Sequence, residues 1–227
     1  MNPRWAFAVA AILGLLPATV AAPKSPQAAA KSPQTAPATQ PAGVSLFDGK
    51  TFTGWEGNLE VFRIEDGAIV GGGMKQRVKR NEFLCATKEY DDFELRVKFK
   101  LLGKEANAGV QIRSRRIPNH NEMRGYQADL GQGCYGCLYD ESRRNKMLAT
   151  ADKAKLEKVL KREDWNEYVI RCQGRRIQLW INGLQTVDYT EPDEKIEQKG
   201  LIGLQIHGGG ASEAWYKDIT IQELPRK

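Results

Sequence analysis

The chain has only two histidines and four cysteines, and they are not grouped as a metal or redox centre requires. His120 and His207 lie far apart, and Cys134-x-x-Cys137 has no second paired cluster, so a zinc reading has little support. The run around that pair reads as strand, where positions i and i+3 point to opposite faces. The four cysteines therefore read as small buried packing residues. A bridge from Cys85 or Cys172 to one of the pair is the alternative, should the domain be exported. Phosphate-binding loops are missing as well: Gly71-Gly72-Gly73 is followed by neither Lys-Ser/Thr nor a helical pattern, and Gly208 to Gly210 reads as a loop. No Ser–His–Asp signature is present. No strand carries the Glu-x-Asp-x-(x)-Glu spacing that would present a nucleophile and an acid on one face. The nearest run, Glu191-Pro192-Asp193-Glu194-Lys195-Ile196-Glu197, is one residue too long, contains Pro and reads as a solvated loop. Two-carboxylate glycoside hydrolysis thus has no clear pair. No apolar run approaches the roughly 20 residues of a membrane helix.

Acidic residues are absent from the first 43 positions, and that absence marks a division of the chain. Arg4 begins a positive region, Ala6 to Leu16 are apolar, Pro17 breaks the run, and Ala18 to Ala22 are small. This pattern predicts a signal peptide over 1–22, cleaved after Ala22, and export to the periplasm or outside the cell. Residues 23–43 use almost only Pro, Ala, Lys, Ser, Gln and Thr, which cannot bury enough apolar surface to offset ordering entropy; they read as a flexible linker. The remaining domain, 44–227, is long enough for a core. The net charge of +6 includes Arg4, Lys24 and Lys31 from the leader and linker, leaving the domain at +3. Its basic residues are mixed with acids along strands, which argues against a nucleic-acid footprint.

What the domain does have is period-two alternation. In Phe93 to Leu101 the odd positions are apolar and the even ones charged, the mark of a strand with one buried face. Asp66-Gly67 and Asn182-Gly183 are hairpin signals between such runs. Further strands are expected at 106–114, 125–130, 134–139, 200–207 and 214–224. Only 152–161 looks helical, with Leu156, Val159 and Leu160 on one stripe. About a dozen short strands with close turn signals mean an all-β sandwich or closed barrel of antiparallel sheets.

Three of these strands have a second face that is polar without being simply charged. Asn107, Gln111 and Arg113 oppose Ala108, Val110 and Ile112; Gln127 and Asp129 oppose Tyr126, Ala128 and Leu130; Gln205 and His207 oppose Ile202, Leu204 and Ile206. Were these strands in one sheet, the polar set would form a floor suited to sugar hydroxyls, with Trp180, Tyr139, Tyr135 and Trp165 as rings to cover apolar sugar faces. An ordinary solvated sheet face is the plainer alternative. The charged run Leu138 to Lys146, including Glu141, reads either as the rim of such a cleft or as a plain turn.

Several short segments, in order, resemble one family. Ser45-Leu46-Phe47-Asp48-Gly49-Lys50 with Gly54-Trp55 is similar to the opening of the 3-keto-disaccharide hydrolase domain family. Asn107-Ala108-Gly109-Val110, Gly125-Tyr126-Gln127-Ala128-Asp129, Asp164-Trp165-Asn166, Ile181-Asn182-Gly183 and Gly200 to His207 follow in the family's order. The resemblance spans nearly all of 44–224. It implies a concanavalin-like jelly-roll sandwich, export, and in some members cleavage of glycosides oxidised to a ketone at C3. Many members have Glu where this chain has Gln127, which leaves the carboxylate role to Asp129. A C3 ketone acidifies the C2 hydrogen, so a base can remove it and the C1 substituent then leaves. On this reading His207 is the base, or the ligand of a divalent cation, which the site could accept without requiring one. Asp129 orients His207 or shares the cation, and Arg113 stabilises the enolate. Asn107, Gln111, Gln127, Gln205, Tyr139, Glu141 and Trp180 contact the substrate. A non-catalytic carbohydrate-binding module and a partner-binding jelly roll on a tether are the competing expectations.

Overall fold

The computed structural model describes residues 43–131 and 133–226. The expected signal peptide lies outside the described residues, as does the expected linker apart from Gly43. Within the described residues the strands are β1 (Val44–Ser45), β2 (Trp55–Glu56), β3 (Phe62–Glu65), β4 (Ala68–Gly73) and β5 (Glu82–Tyr90). They continue with β6 (Phe93–Leu102), β7 (Asn107–Arg116), β8 (Met123–Gly131), β9 (Leu138–Glu141) and β10 (Lys146–Ala149). After the helix α1 (Lys153–Leu156) come β11 (Asn166–Gln173), β12 (Arg176–Ile181), β13 (Leu184–Thr190), β14 (Gly200–Ile206) and β15 (Ser212–Glu223).

These strands form two sheets, each antiparallel throughout. The first runs β13-β12-β11-β6-β15-β4-β3, with β1 also paired to β15. The second runs β10-β9-β8-β7-β14-β5-β2. The alternation in β6 does what its sequence dictates: Phe93, Leu95, Val97 and Phe99 are buried in the space between the sheets. From the other side Val110, Ile112, Tyr126, Ala128, Leu204 and Ile206 meet them in the same apolar cluster. Each such side chain removed from water contributes about 1.5–3 kcal/mol, which fixes the register, because a one-residue slip would expose the whole row. Both hairpin signals form tight turns in which the two central residues have positive φ: Asp66 and Gly67 at 50° and 71°, Asn182 and Gly183 at 47° and 83°. The architecture is a jelly-roll sandwich. No helix among the described residues is long and apolar enough to cross a membrane.

Three local expectations change. The helix is a single turn, Lys153–Leu156, capped by the Asp152 carboxylate accepting from Lys155 N; Val159 and Leu160 still pack on the core from the turns beyond it. The segment around Cys134 is a turn: Cys137 N donates to Cys134 O at 3.0 Å, and β9 starts only at Leu138. The argument that placed the two cysteines on opposite faces of a strand therefore does not hold. All four cysteines are unpaired. The third change concerns β7, whose register with β8 shifts between Ile112 and Arg115. Arg113 adopts φ 48° within that shift, and the alternation breaks there.

Glu191, expected in a solvated loop, is buried. Arg144 grips it at 3.0 and 2.6 Å, and the Tyr126 hydroxyl donates to it at 2.7 Å. Burial alone would raise this carboxyl, but Arg144 and Tyr126 outweigh it and hold the pKa at about 2. Arg143 and Arg144 also close onto the fully buried Asp140. Within the run 138–146, Asp140, Arg143 and Arg144 thus form a structural clamp.

Candidate functional site

Strand register decides which polar side chains share a face, because directly opposed residues of an antiparallel pair point the same way. Gln205 opposes Gly109, which opposes Asp129; Gly203 opposes Gln111, which opposes Gln127, which opposes Tyr139; Gly125 opposes Glu141. His207 follows Gln205 by alternation, and its N–H donates to Asn107 O at 3.0 Å. Asn107, Gln111, Gln127, Asp129, Tyr139, Glu141, Gln205 and His207 therefore occupy one face of the second sheet, the face turned away from the core.

On that face a directed chain of hydrogen bonds ends at Asp129. Ser114 Oγ donates to Gln111 Oε1 at 2.6 Å, Gln111 Nε2 to Gln127 Oε1 at 2.8 Å, and Gln127 Nε2 to Asp129 Oδ1 at 2.6 Å. Gly109 makes this possible, since a Cβ there would lie 2.6 Å from the Gln127 side chain. Each donor polarises the next, so the amides aim a partial positive charge at the carboxylate. Burial acts the other way and dominates. It raises Asp129 from its ordinary 3.8 to about 7, with the Gln127 bond lowering it and Glu141 adding to the rise. Burial likewise raises Glu141, aided by Glu122 and opposed by His207. Asp129 is a carboxyl poised to exchange a proton near neutral pH.

Gln205 is a different case. It is fully buried, and neither its amide nitrogen nor its oxygen finds a hydrogen-bonding partner. Such an orphan is costly, of order 1–3 kcal/mol, and needs an explanation. The tip of the β7–β8 hairpin lies over this part of the face. Met123 Sδ is 3.2 Å from Cys85 Sγ, and a Cβ on Gly203 would meet that same Sδ at 2.4 Å. Asn81 and Ser142 tie down Glu122 at the end of the tip, at 3.3 and 2.6 Å. Asn81 also accepts from Gly208 N at 2.9 Å, beside His207. On the β5 side of the tip lies a cleft of about 670 Å³, lined by Asn58, Arg80, Phe83, Arg116, His120 and Asn121 among others.

Two expected site residues are elsewhere. Arg113 is fully buried, and its guanidinium bonds Asp92 at 2.8 Å, the carbonyls of Asp91 and Gly174 at 2.7 Å each, and Gln198 at 2.8 Å. The register shift in β7 turns it toward the end of the sandwich, where it joins loops from both sheets; buried there with four bonds to protein, it does not reach an enolate on the polar face. Trp180 belongs to β12 of the first sheet, alternating with the core residues Leu179 and Ile181, so it faces away from the second sheet altogether. Tyr135, partly buried, stacks on Phe99 at the edge of the core, and Trp165 packs with Trp215 on the first sheet. Asp129 bonds Gln127, while His207 Nδ1 lies 2.6 Å from Gly208 O, so the Asp129–His207 pairing expected from sequence is replaced by separate partners. Among the described residues no three His, Cys, Asp or Glu side chains are grouped to hold a metal ion.

Ser114, Glu122, Ser142 and Asn81 also belong to this face or its walls, and the sequence did not single them out. Only Ser114 carried a signal, as a small hydroxyl beside the expected polar stripe.

Comparisons with known proteins agree with this fold. A structure from Parabacteroides distasonis ATCC 8503, described as a candidate glycosyl hydrolase, superposes with a TM-score of 0.64 at 20% identity, over 81% of this chain and 94% of that one. A second from the same organism gives 0.58 at 24%, over 80% and 98%. The carbohydrate-binding module CBM66 from Bacillus subtilis gives 0.58 at 12%, over 75% and 96%. At such identities these likenesses concern the fold. No curated protein matched the sequence. The sequence pattern of one domain family matches residues 42–222, nearly the whole sandwich. The chain belongs to the 3-keto-alpha-glucoside-1,2-lyase-like domain family.

Proposed function

We propose that this domain cleaves 3-keto-glycosides by base-initiated elimination, with Asp129 as the base. The observation that carries the reading is the Asp129 carboxyl, buried on a polar face and held at about pH 7. A base works best when its pKa lies near working pH, since it is then both available and strong enough. The carboxylate would take the C2 hydrogen, the electrons would pass to the C3 ketone, and the C1–oxygen bond would break to release the aglycone. The Ser114–Gln111–Gln127 chain fixes the carboxylate in place and supplies a donor to the oxygen that is not taking the proton. His207, the base expected from the sequence, lies on the same face; its Nδ1–H donates to Gly208 O, so as imidazolium it would also donate from Nε2 to the enolate, the part first assigned to Arg113, or to the departing oxygen. Asn107, Tyr139 and Glu141, which keep partial exposure, would meet sugar hydroxyls.

The reading includes export. The leader 1–22 would be removed after Ala22, leaving the sandwich outside the cytoplasm. Asp129→Asn keeps the shape and the Gln127 bond but cannot take a proton. It should lower turnover of a 3-keto-glucoside by about 10²–10⁴-fold with little change in KM. Unchanged turnover would remove Asp129 from the chemistry, and binding of the ketoside without turnover by the unaltered protein would favour a binding module.

A further inference from the structure

We infer that Cys134 and Cys137 are a dithiol that closes to an intramolecular disulfide, bracing the turn that holds Asp129. The pair occupies the first and last positions of one β-turn, closed by Cys137 N donating to Cys134 O at 3.0 Å. A β-turn brings those two Cα atoms within about 7 Å, and disulfides span about 4.4–6.8 Å. Gly136, at the third position, has φ 70°, the left-handed conformation that this turn needs. The turn is already anchored: Tyr135 stacks on Phe99 at 6.3 Å, and the Gly136 backbone lies so close to Thr186 that a Cβ there would approach it to 2.8 Å. Closing the bond therefore asks little movement of the chain.

The same turn supports the proposed base. Asp129 N donates to Cys137 O and Gly136 N donates to Asp129 O, each at 3.0 Å. A bond across the turn would hold both contacts, and with them the position of the Asp129 backbone.

The two sulfurs have different roles because their exposure differs. Cys134 is partly exposed and Cys137 is buried. Cys134 as thiolate attacks a low-molecular-weight disulfide or the disulfide of an exported oxidoreductase; that S–S bond breaks, a mixed disulfide forms, and one thiolate leaves and is protonated. Cys137 then attacks the Cys134 sulfur from within the turn, expelling the second thiol, so two protein thiols are oxidised as one external disulfide is reduced to two thiols. The second step is intramolecular and does not require Cys137 to meet solvent. Burial and the nearby Asp129 carboxylate hold the Cys134 thiol above its ordinary value, so closure should quicken as pH rises. Cys85, packed on Met123, and Cys172, in the core, are both pushed up to about 11 by burial and stay as thiols.

The test equilibrates the whole protein with oxidised and reduced glutathione, alkylates it under denaturing conditions and maps the peptides. The expected result is a Cys134–Cys137 link with the loss of two hydrogen masses, and alkylation at Cys85 and Cys172. The Cys137→Ser variant should trap a glutathione adduct on Cys134, whereas Cys134→Ser should trap none. Four alkylated cysteines under oxidising conditions, or a link through Cys85 or Cys172, would overturn the inference. Hydrogen exchange at the Asp129 and Gly136 amides should slow several-fold on oxidation; unchanged rates would overturn the bracing role. No turnover is read, so the result is independent of the proposed activity.

Discussion

Asp129→Asn should abolish a fall in stability that the unaltered domain shows as pH rises from about 5 to about 8. The carboxyl titrates at about 7 in the folded protein against 3.8 for an ordinary aspartate. Between those values the folded state holds a proton that the unfolded state has lost, so unfolding becomes easier as pH rises and levels off above about pH 7. The gap of some three pKa units corresponds to about 4 kcal/mol, of which about 2–3 kcal/mol falls between pH 5 and pH 8. That is a large part of the 5–15 kcal/mol typical of a domain. Asparagine keeps an oxygen for the Gln127 amide at the same place and carries no charge to bury. Urea unfolding at a series of pH values, run on both proteins, cancels in the difference the titration of groups that do not interact with Asp129, leaving Asp129 and its coupling to Glu141. The variant should gain on the parent by about 2–3 kcal/mol over this interval. Parallel curves would mean that Asp129 is not a neutral-pH carboxyl, and the case for it as base would fail.

Other outcomes follow from neighbouring contacts. Gln127→Glu puts a second carboxylate on Asp129, so the two share a proton and the acidic limb of the pH–rate profile, where the base becomes protonated, moves up by about one unit or more; an unmoved profile would contradict the assignment. Arg113→Met leaves Asp92 buried without its cation and should cost about 3–5 kcal/mol in urea unfolding, while the folded fraction keeps its KM; a rise in KM at full stability would return Arg113 to the substrate. Glu191→Gln removes a carboxylate whose folded pKa is depressed to about 2. Its stabilisation is present above the ordinary 4.5 and lost as pH falls toward 2, so the stability gap between variant and parent should narrow over that range in acid unfolding.

The sandwich was legible because period-two alternation and two glycine hairpins are local signals that survive tertiary context. The polar face was legible for the same reason: Gln127 and Asp129 alternate along β8, Gln205 alternates along β14, and His207 follows the last residue of that strand. Arg113 failed where the alternation failed. A register shift at Ile112 and a left-handed residue reverse the side chain, and no residue type at that place announces it. Trp180 failed for another reason: alternation gives a strand's two faces but not its sheet, and β12 lies in the sheet opposite the polar floor. The burial of Glu191 arises from Arg144 and Tyr126, 47 and 65 residues away, and nothing local reports such a contact. The Cys134 turn was hidden because 134–139 was read as one strand, with the turn at its start taken into it.

The central claim is that a carboxylate on the polar face removes the C2 hydrogen of a keto sugar. Cleavage of a 3-keto-glucoside deuterated at C2 tests it directly, with a no-enzyme control for spontaneous exchange. The expected result is a slowed reaction in which the C2 deuterium is lost to water, both effects vanishing with turnover in Asp129→Asn. Cleavage at full rate with the deuterium retained at C2 would contradict it.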